Sequence, residues 1–333
     1  MGIGKAPQIL RRFFCILLAV TLAGCSTVYA EELPPADADS EAAASAALWQ
    51  GMIIDYRDWD ILSLLNLTSY GPWDTKTDFR SIRFFNAAGD ILVQHKGRVY
   101  YDNGRTSEDV DKLFSQLTSD LRCANNDQFF RSELFNLSAV RGKGIPPASI
   151  QDGWLRRNCY HAVDLLKKLA PRQEPCLLNM FEKSVQGKDY AAFVFGFLID
   201  GTPVYGLNEN LLGIINPDEL ETALQEIAIL IYDRNGLCNL EISDILGLEP
   251  GRERQIISRN EAENILAGRL AAHPEISYTV HQCWMSYVPL GNHSREPLTV
   301  TPFWSFFLTW KKDGETWCAT PRINALTGDI LWY

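Results

Sequence analysis

The sequence predicts an α+β fold in which helices pack on one face of antiparallel sheets. The first supporting observation is a helix pattern that opens at Ser258 and places four apolar residues on one face: Ala262, Ile265, Leu266 and Leu270. The second is a run of long strand patterns directly after this helix, at residues 276–288, 301–311 and 316–323. A helix followed by strands joined by short turns is typical of antiparallel pairing.

A Gly- and Pro-rich segment at residues 142–147 is the strongest break within the chain. It predicts two α+β sub-modules, an N-terminal module at residues 48–144 and a C-terminal module at residues 149–333. In the first module we expect strands at 81–85 and 91–101 and a helix that begins at Ser107. In the second we expect a helix at 149–169 and strand pairs at 177–198 and 224–242 before the elements named above.

The N-terminus has the three parts of an export signal. Basic residues are followed by a short apolar run at residues 13–22, which is too short for a stable membrane span. The run ends in Leu22-Ala23-Gly24-Cys25, which resembles the bacterial lipobox. This resemblance implies that residues 1–24 are removed and that Cys25 carries a diacylglycerol, so that lipid holds the protein to the membrane. The alternative is an ordinary signal peptide cut at Ala30.

Residues 25–47 are predicted to be a linker, because acids, Pro and Ala with almost no large apolar residues cannot form a core. Once the signal is removed, the chain has 28 Lys and Arg against 41 Asp and Glu, a formal charge of about −13. This acidic balance argues against nucleic acid as a partner and against direct binding to an anionic membrane surface. It suits an extracytoplasmic body held off the membrane by its linker.

Six cysteines remain after Cys15 and Cys25 are set aside. Outside the cytoplasm they could form disulfides, and we expect Cys283 and Cys318 to pair because both fall on strands predicted to be neighbours. The alternative is that the cysteines are buried free thiols. None has the spacing of a zinc site.

Two short motifs in the C-terminal module are the most specific in the chain. They are Pro302-Phe303-Trp304 and the run Asn324-Ala325-Leu326-Thr327-Gly328-Asp329. With the helix and strands before them, they resemble the C-terminal module of uncharacterised lipoproteins from clostridia and their relatives. More distantly, the segment is similar to PepSY-like modules and to YycH and YycI, the accessory proteins of a sensor kinase. The resemblance covers residues 149–333 and implies a regulatory role, with no catalytic residues to carry over.

These motifs have structural interpretations. The run at 324–329 predicts a tight turn in which Gly328 supplies a positive φ and the polar side chains bond their own backbone. Pro302 is expected at the start of a strand, where its missing N–H does least harm. The aromatic residues of 303–310 lie on both faces of their strand and are expected to pack in a core, the alternative being a ligand-stacking groove.

Three groups of residues are candidate sites. His161 with Asp164, and His281 with Cys283, could bind a metal, but a surface hydrogen bond is the commoner use of such pairs. The acid–aromatic cluster at residues 55–60 could serve glycan hydrolysis, but we prefer to interpret it as a solvated loop near the start of the fold. We therefore predict no metal, no cofactor and no enzyme activity.

Together these observations favour a membrane-anchored extracytoplasmic lipoprotein with a binding or regulatory role. Its expected contacts are the membrane, through the lipid on Cys25, and a membrane protein such as a sensor kinase. The alternatives are a cell-envelope hydrolase and a solute-binding lipoprotein. A hydrolase would need a cleft with two carboxylates, and a solute-binding protein would need two lobes with parallel sheets.

Overall fold

A computed structural model of the chain describes residues 45–104, 144–185, 187–204, 228–243, 246–273, 277–290, 297–312, 315–319 and 321–331. The signal peptide, Cys25 and most of the predicted linker lie outside these residues, as does the helix expected from Ser107.

The described strands join one large sheet. They are β1 (Ser45–Ile53), β2 (Trp73–Thr77), β3 (Ser81–Asn86), β4 (Ile91–His95), β5 (Arg98–Asp102), β6 (Glu174–Val185), β7 (Lys188–Ile199), β8 (Thr202–Val204), β9 (Ala228–Asp233), β10 (Gly236–Ser243), β11 (Leu246–Gln255), β12 (Ser277–Leu290), β13 (Leu298–Lys312), β14 (Glu315–Ala319), β15 (Arg322–Asn324) and β16 (Ile330–Leu331). The main path runs β11-β1-β13-β12-β8-β7-β9-β10-β5-β4-β3-β2. Neighbours on it pair antiparallel, except for a parallel contact between β8 and β12.

Helices are fewer than strands in the described residues. They are the α-helices α1 (Ile61–Leu64), α2 (Gly153–Leu169) and α3 (Arg259–Ala271), and the 3-10 helices at Tyr56–Asp58, Leu67–Tyr70 and Pro147–Ser149. The described fold is therefore dominated by a large antiparallel sheet. This is loosely consistent with the predicted α+β class, but with more of its residues in strands than we expected.

The centre of the sheet is formed by strands that contain long apolar runs. Every residue of β7 from Tyr190 to Ile199 is buried, and so is every residue of β9. An apolar residue on each face of a strand indicates that both faces are shielded from water. The prediction for the aromatic strand is confirmed in the same way, since Phe303 and Phe306 of β13 are 1% and 0% exposed and pack in separate clusters.

Helix α2 begins where Asp152 caps it, because one carboxylate oxygen accepts the backbone N–H groups of Trp154 at 2.7 Å and Leu155 at 2.8 Å. Its apolar stripe joins a cluster that includes Phe193 of β7 and Leu230 of β9. The helix therefore derives its stability from packing against the central strands.

Helix α3 begins at the predicted position, and a capping box at Ser258 forms its first turn. The Ser258 hydroxyl accepts the backbone N–H of Glu261 at 3.2 Å, and the Glu261 carboxylate accepts the backbone N–H of Ser258 at 2.7 Å. Three buried residues of α3, among them Leu266, pack with Phe306 and Ile323. The helix thus covers β13 and β15.

Backbone pairing crosses the predicted module boundary at two places. Strand β1 lies between β11 and β13, and β5 pairs with β10. Strands from both predicted modules therefore share one hydrogen-bonded sheet. The division near residue 144 stays a prediction.

Several local expectations differ from the structure. Residues 45–47, assigned to the linker, begin β1, and β11 was not predicted at all. The strand expected at 91–101 is two strands, β4 and β5, with Gly97 at φ +78° between them. A positive φ of this kind is easy for glycine and forms the turn.

Pro302 lies inside β13 rather than at its start. Its carbonyl accepts the N–H of Ala325 at 3.0 Å. On this side of β13, the pairing with β1 ends at Val300 and the pairing with β15 begins at Phe303. The N–H and C=O of one strand residue point to the same side, so the missing proline N–H falls in the gap between these two partners.

Candidate functional site

A groove of about 340 Å³ lies between α3 and the first half of β12. Its floor is apolar and includes Leu266 and Phe306, which are 1% and 0% exposed. Arg259 and Glu263 line one wall, and Tyr278 and His281 line the other. This groove lies in the segment that carries the sequence resemblance.

The segment before α3 is held to the sheet by two hydrogen bonds. Trp304 of β13 donates its indole N–H to the carbonyl of Ile257 at 3.0 Å. The N–H of Ile257 donates to the carbonyl of Ala325 at 2.8 Å. These contacts position the first turn of α3, and with it Arg259, above β12 and β13.

The predicted turn at residues 324–329 is confirmed and supports the same helix. The Asn324 side chain accepts the N–H of Leu326 at 2.9 Å, and the Thr327 hydroxyl donates to Asp329 at 2.6 Å. Gly328 has φ +75°, and a Cβ built on it would meet Ile265 of α3 at 3.0 Å. Both the backbone conformation and the close approach of the helix therefore favour glycine at this position.

A bulge in β12 decides where His281 lies. The register of β12 against β13 shifts between Val280 and Gln282, so His281 lies at a β-bulge. The bulge interrupts the regular alternation of side chains along β12 at His281, next to the position of Cys283. His281 is exposed at the groove, and its Nε2 lies 2.8 Å from the hydroxyl of Thr309.

The groove combines an apolar floor with charged and aromatic walls. Arg259 donates to the Glu263 carboxylate at 2.7 Å, and both side chains are more than a third exposed. Tyr278 is 37% exposed. Arg and Tyr on an apolar floor are the residue types that contribute most energy at protein–protein interfaces. Sequence reasoning missed Arg259, Glu263 and Tyr278, although the first two have the i, i+4 spacing of a helical ion pair.

The acid–aromatic cluster at residues 55–60 is not a solvated loop. It forms a 3-10 helix and the start of α1, and the ring of Tyr56 is completely buried. Asp55 accepts the Arg57 side chain at 2.8 Å, and this contact lowers the pKa of its carboxyl. Asp60 accepts the hydroxyl of Ser63 at 2.6 Å and its N–H at 3.1 Å, and these bonds lower the pKa of Asp60.

Both of these carboxylates therefore act as helix caps that stay ionised at neutral pH. A glycosidase needs a general acid with a raised pKa, and neither Asp55 nor Asp60 has this property.

Beside this cluster lies a shallow cleft of about 460 Å³. It is lined by Trp59, Asp60, Ser63, Leu64, Asn66 and Lys168. Asp60 is the one carboxylate in this lining. Lys168 comes from the last turn of α2 and could not have been linked to Trp59 from sequence, because 109 residues separate them.

His161 makes a hydrogen bond, which is the commoner of the two uses considered for it, and its partner is Tyr232. Its Nδ1 forms a 2.9 Å hydrogen bond with the hydroxyl of Tyr232, whose side chain is 1% exposed. Burial lowers the pKa of His161, and the nearby charge of Asp164 opposes this effect. His161 therefore fastens α2 to β9.

The predicted disulfide between Cys283 and Cys318 assumed that their strands are neighbours, and in the structure they are not. The two cysteines lie on strands that flank β13, opposite Phe306 and Thr309 respectively, so their strands are not direct neighbours. The side chain of Cys318 lies outside the described residues, and the disulfide stays a prediction. Cys159 of α2 is a buried free thiol, and burial raises its pKa to about 12.

The described residues contain no group of three or more His, Cys, Asp or Glu side chains that could hold a metal ion. No helix in the same part of the chain is long and apolar enough to cross a membrane.

No protein family and no curated protein matches this sequence. Among solved structures, an uncharacterised protein from Eubacterium rectale resembles the chain with a TM-score of 0.51, at 13% identity over 86% of each chain. A likeness at this identity shows a shared fold alone. The C-terminal domain of Bacillus megaterium YpeB gives a TM-score of 0.30, at 12% identity over 85% of this chain and 99% of that domain, and a score this low does not indicate a shared fold.

Proposed function

We propose that this protein is a membrane-anchored extracytoplasmic lipoprotein with a non-catalytic binding or regulatory role. The proposed location is supported by the run Leu22-Ala23-Gly24-Cys25 at the end of a short apolar segment. A diacylglycerol on Cys25 would supply two acyl chains, which is enough for stable attachment to a membrane.

The linker sets how far the folded body can reach from the membrane. About 20 residues separate Cys25 from the start of β1, and a fully extended chain spans at most about 3.5 Å per residue, or roughly 70 Å. Such a reach would allow the body to contact the extracytoplasmic part of a membrane protein.

The groove between α3 and β12 is the proposed contact surface for that membrane protein. Tyr278 is exposed and Arg259 is partly exposed beside a floor that includes the buried Phe306, so a partner side chain could bury apolar area there and bond to the walls. The Arg259–Glu263 pair offers both a donor and an acceptor to the partner.

We further propose that both long helices cover one face of the sheet. Phe197, which packs with α2, pairs with Val204, and Val204 pairs with Tyr287. Tyr287 pairs with Pro302, which lies four residues from Phe306 under α3. Directly paired residues share a face, as do residues two or four apart on one strand. The groove and the Trp59 cleft would then be presented on the same side.

The finer family assignment is also a proposal. A helix followed by long antiparallel strands, with the turn at residues 324–329 packed against that helix, supports a PepSY-like module similar to those of YycH and YycI. This assignment predicts a regulatory partner in the membrane rather than a reaction.

Cross-linking in intact cells tests the proposed function. The tagged protein is cross-linked, purified and analysed by mass spectrometry beside Cys25→Ala and Tyr278→Ala variants. We expect one membrane protein to be recovered with the wild type and lost with both variants. Tyr160→Ala is the matched control, because Tyr160 is a similarly exposed tyrosine on α2, away from the groove. Recovery that is unaffected by Tyr278→Ala would exclude the groove as the contact surface.

A separate measurement tests the location. Cells fed an alkyne-tagged fatty acid should label the wild-type protein and leave the Cys25→Ala variant unlabelled. Equal labelling of the two, or none of either, would contradict the lipoprotein assignment.

A further inference from the structure

We propose that the cleft beside Trp59 binds an uncharged saccharide unit. The residues of the cleft support this ligand chemistry, and only the source of the ligand, a glycan of the cell envelope, rests on the proposed extracytoplasmic location.

The cleft has an aromatic wall that is held in place before any ligand arrives. The ring of buried Tyr56 lies edge-on to Trp59, with centroids 5.3 Å apart and planes at 69°. The Gln94 amide donates to the carbonyl of Tyr56 at 2.5 Å and to that of Trp59 at 2.8 Å. A fixed aromatic ring offers contact area at a small entropic cost, which suits the apolar C–H face of a sugar ring.

The remaining walls of the cleft carry both hydrogen-bond donors and hydrogen-bond acceptors. Each carboxylate oxygen of Asp60 accepts a hydrogen bond from Ser63 and keeps a lone pair for another donor. Lys168 can donate, and the amide of Asn66 can do both. Sugar hydroxyls also donate and accept, so they match this set. The single negative charge of Asp60 and the single positive charge of Lys168 balance, which favours an uncharged ligand over an anion or a cation.

One hydrogen bond unites these walls. The hydroxyl of Tyr56 donates to the carbonyl of Leu169 at 2.9 Å, and so fastens the Trp59 segment to the end of α2, where Lys168 lies. The cleft is widely open, and its volume of about 460 Å³ falls within the range of ligand sites. An open site of this size fits one unit of a longer glycan, whose ends can extend into solvent.

Hydrolysis is not part of this proposal. Retaining and inverting glycosidases place two carboxyl groups across the glycosidic bond, and the lining of this cleft includes only Asp60. The site is therefore assigned to binding.

Isothermal titration calorimetry of the full-length protein in a sugar-free detergent tests the proposal. The probes are two uncharged trisaccharides, triacetylchitotriose and cellotriose, and one anionic trisaccharide, trigalacturonate. We expect at least one uncharged probe to bind more tightly than trigalacturonate. Trp59→Ala should weaken its binding by about tenfold, the loss of one aromatic contact.

Conservative variants separate binding from folding. Trp59→Phe keeps an aromatic wall and should retain most of the affinity. Lys168→Ala should weaken binding by a few-fold, whereas Lys167→Ala, one residue away on α2 and absent from the cleft lining, should leave it unchanged. Failure of both uncharged probes to bind, tighter binding of trigalacturonate, or equal effects of the two lysine variants would overturn the proposal. None of these outcomes alters the cross-linking result, which tests the groove separately.

Discussion

The hydroxyl of Tyr56 connects the N-terminal segment of the fold to α2, and its removal is a sharp test of how the two are joined. Tyr56 is 0% exposed and donates to the carbonyl of Leu169 at 2.9 Å. The last carbonyls of a helix have no partner within the helix, so Tyr56 satisfies a group that would otherwise be unpaired. Tyr56→Phe removes this donor while it keeps the ring and its contact with Trp59.

The expected loss of stability follows from the buried acceptor. A typical hydrogen bond contributes about 1 kcal/mol net, and a buried carbonyl left without a donor costs about 1–3 kcal/mol. We therefore expect Tyr56→Phe to lower the free energy of unfolding by about 2 kcal/mol. With a urea m-value of roughly 3 kcal/mol/M, the unfolding midpoint should fall by roughly 0.7 M.

Urea unfolding followed by circular dichroism measures this change. Tyr160→Phe is the control, because Tyr160 is 47% exposed on α2 and its variant should change stability by less than about 0.5 kcal/mol. Equal midpoints for the two variants would refute the reasoning, since the Tyr56 hydroxyl would then contribute no more than an exposed one.

Three further predictions concern caps, turns and pH. Ser258→Ala should cost about 1 kcal/mol in urea unfolding, because it removes the capping box of α3, and an unchanged midpoint would show that the cap contributes nothing. Gly328→Ala should destabilise by about 1–2 kcal/mol, because φ is +75° and the new Cβ would approach Ile265, whereas Gly153→Ala meets no atom and serves as its control. Hydrogen bonds from the backbone of Arg80 and from Ser81 lower the pKa of Asp78 to about 2. The stabilising effect of the Asp78 carboxylate is therefore complete above the unfolded pKa near 3.8 and is lost as the pH falls towards 2. Asp78→Asn should reduce the loss of stability that urea unfolding measures between pH 4 and 2. Parallel curves of stability against pH for the wild type and the variant would contradict this.

Much of the C-terminal fold was predictable because its signals are local. The capping box at Ser258, the hairpin turn around Gly236 and the turn at residues 324–329 each depend on residues a few positions apart. Capping and turn chemistry act within one turn of the backbone, so they can be read from the order of residues.

Other features could not be read in this way. Strand β1 begins in an Ala-rich stretch with little strand character, and it is a strand because β11 and β13 bind it on both sides. The bulge beside His281 likewise arises from pairing with β13. Such features depend on partners far along the chain, which local propensity does not contain.

The candidate sites show the same division. The interpretation of residues 55–60 as a solvated loop was wrong, because burial of Tyr56 depends on contacts with α2 and β4. The groove forms because α3 lies over β12, and the cleft forms because Lys168 and Trp59 lie close together. Both arrangements join residues that are distant in the sequence.

The order and composition of the residues alone determined the lipobox-like run at Cys25, the acidic charge, the helix caps and the turns. Tertiary structure decided which strands share the sheet, which carboxylates are committed to caps and which side chains meet in a groove. The physical reason is that hydrogen bonds within a turn join neighbours in sequence, whereas sheet pairing and burial join residues that only folding brings together.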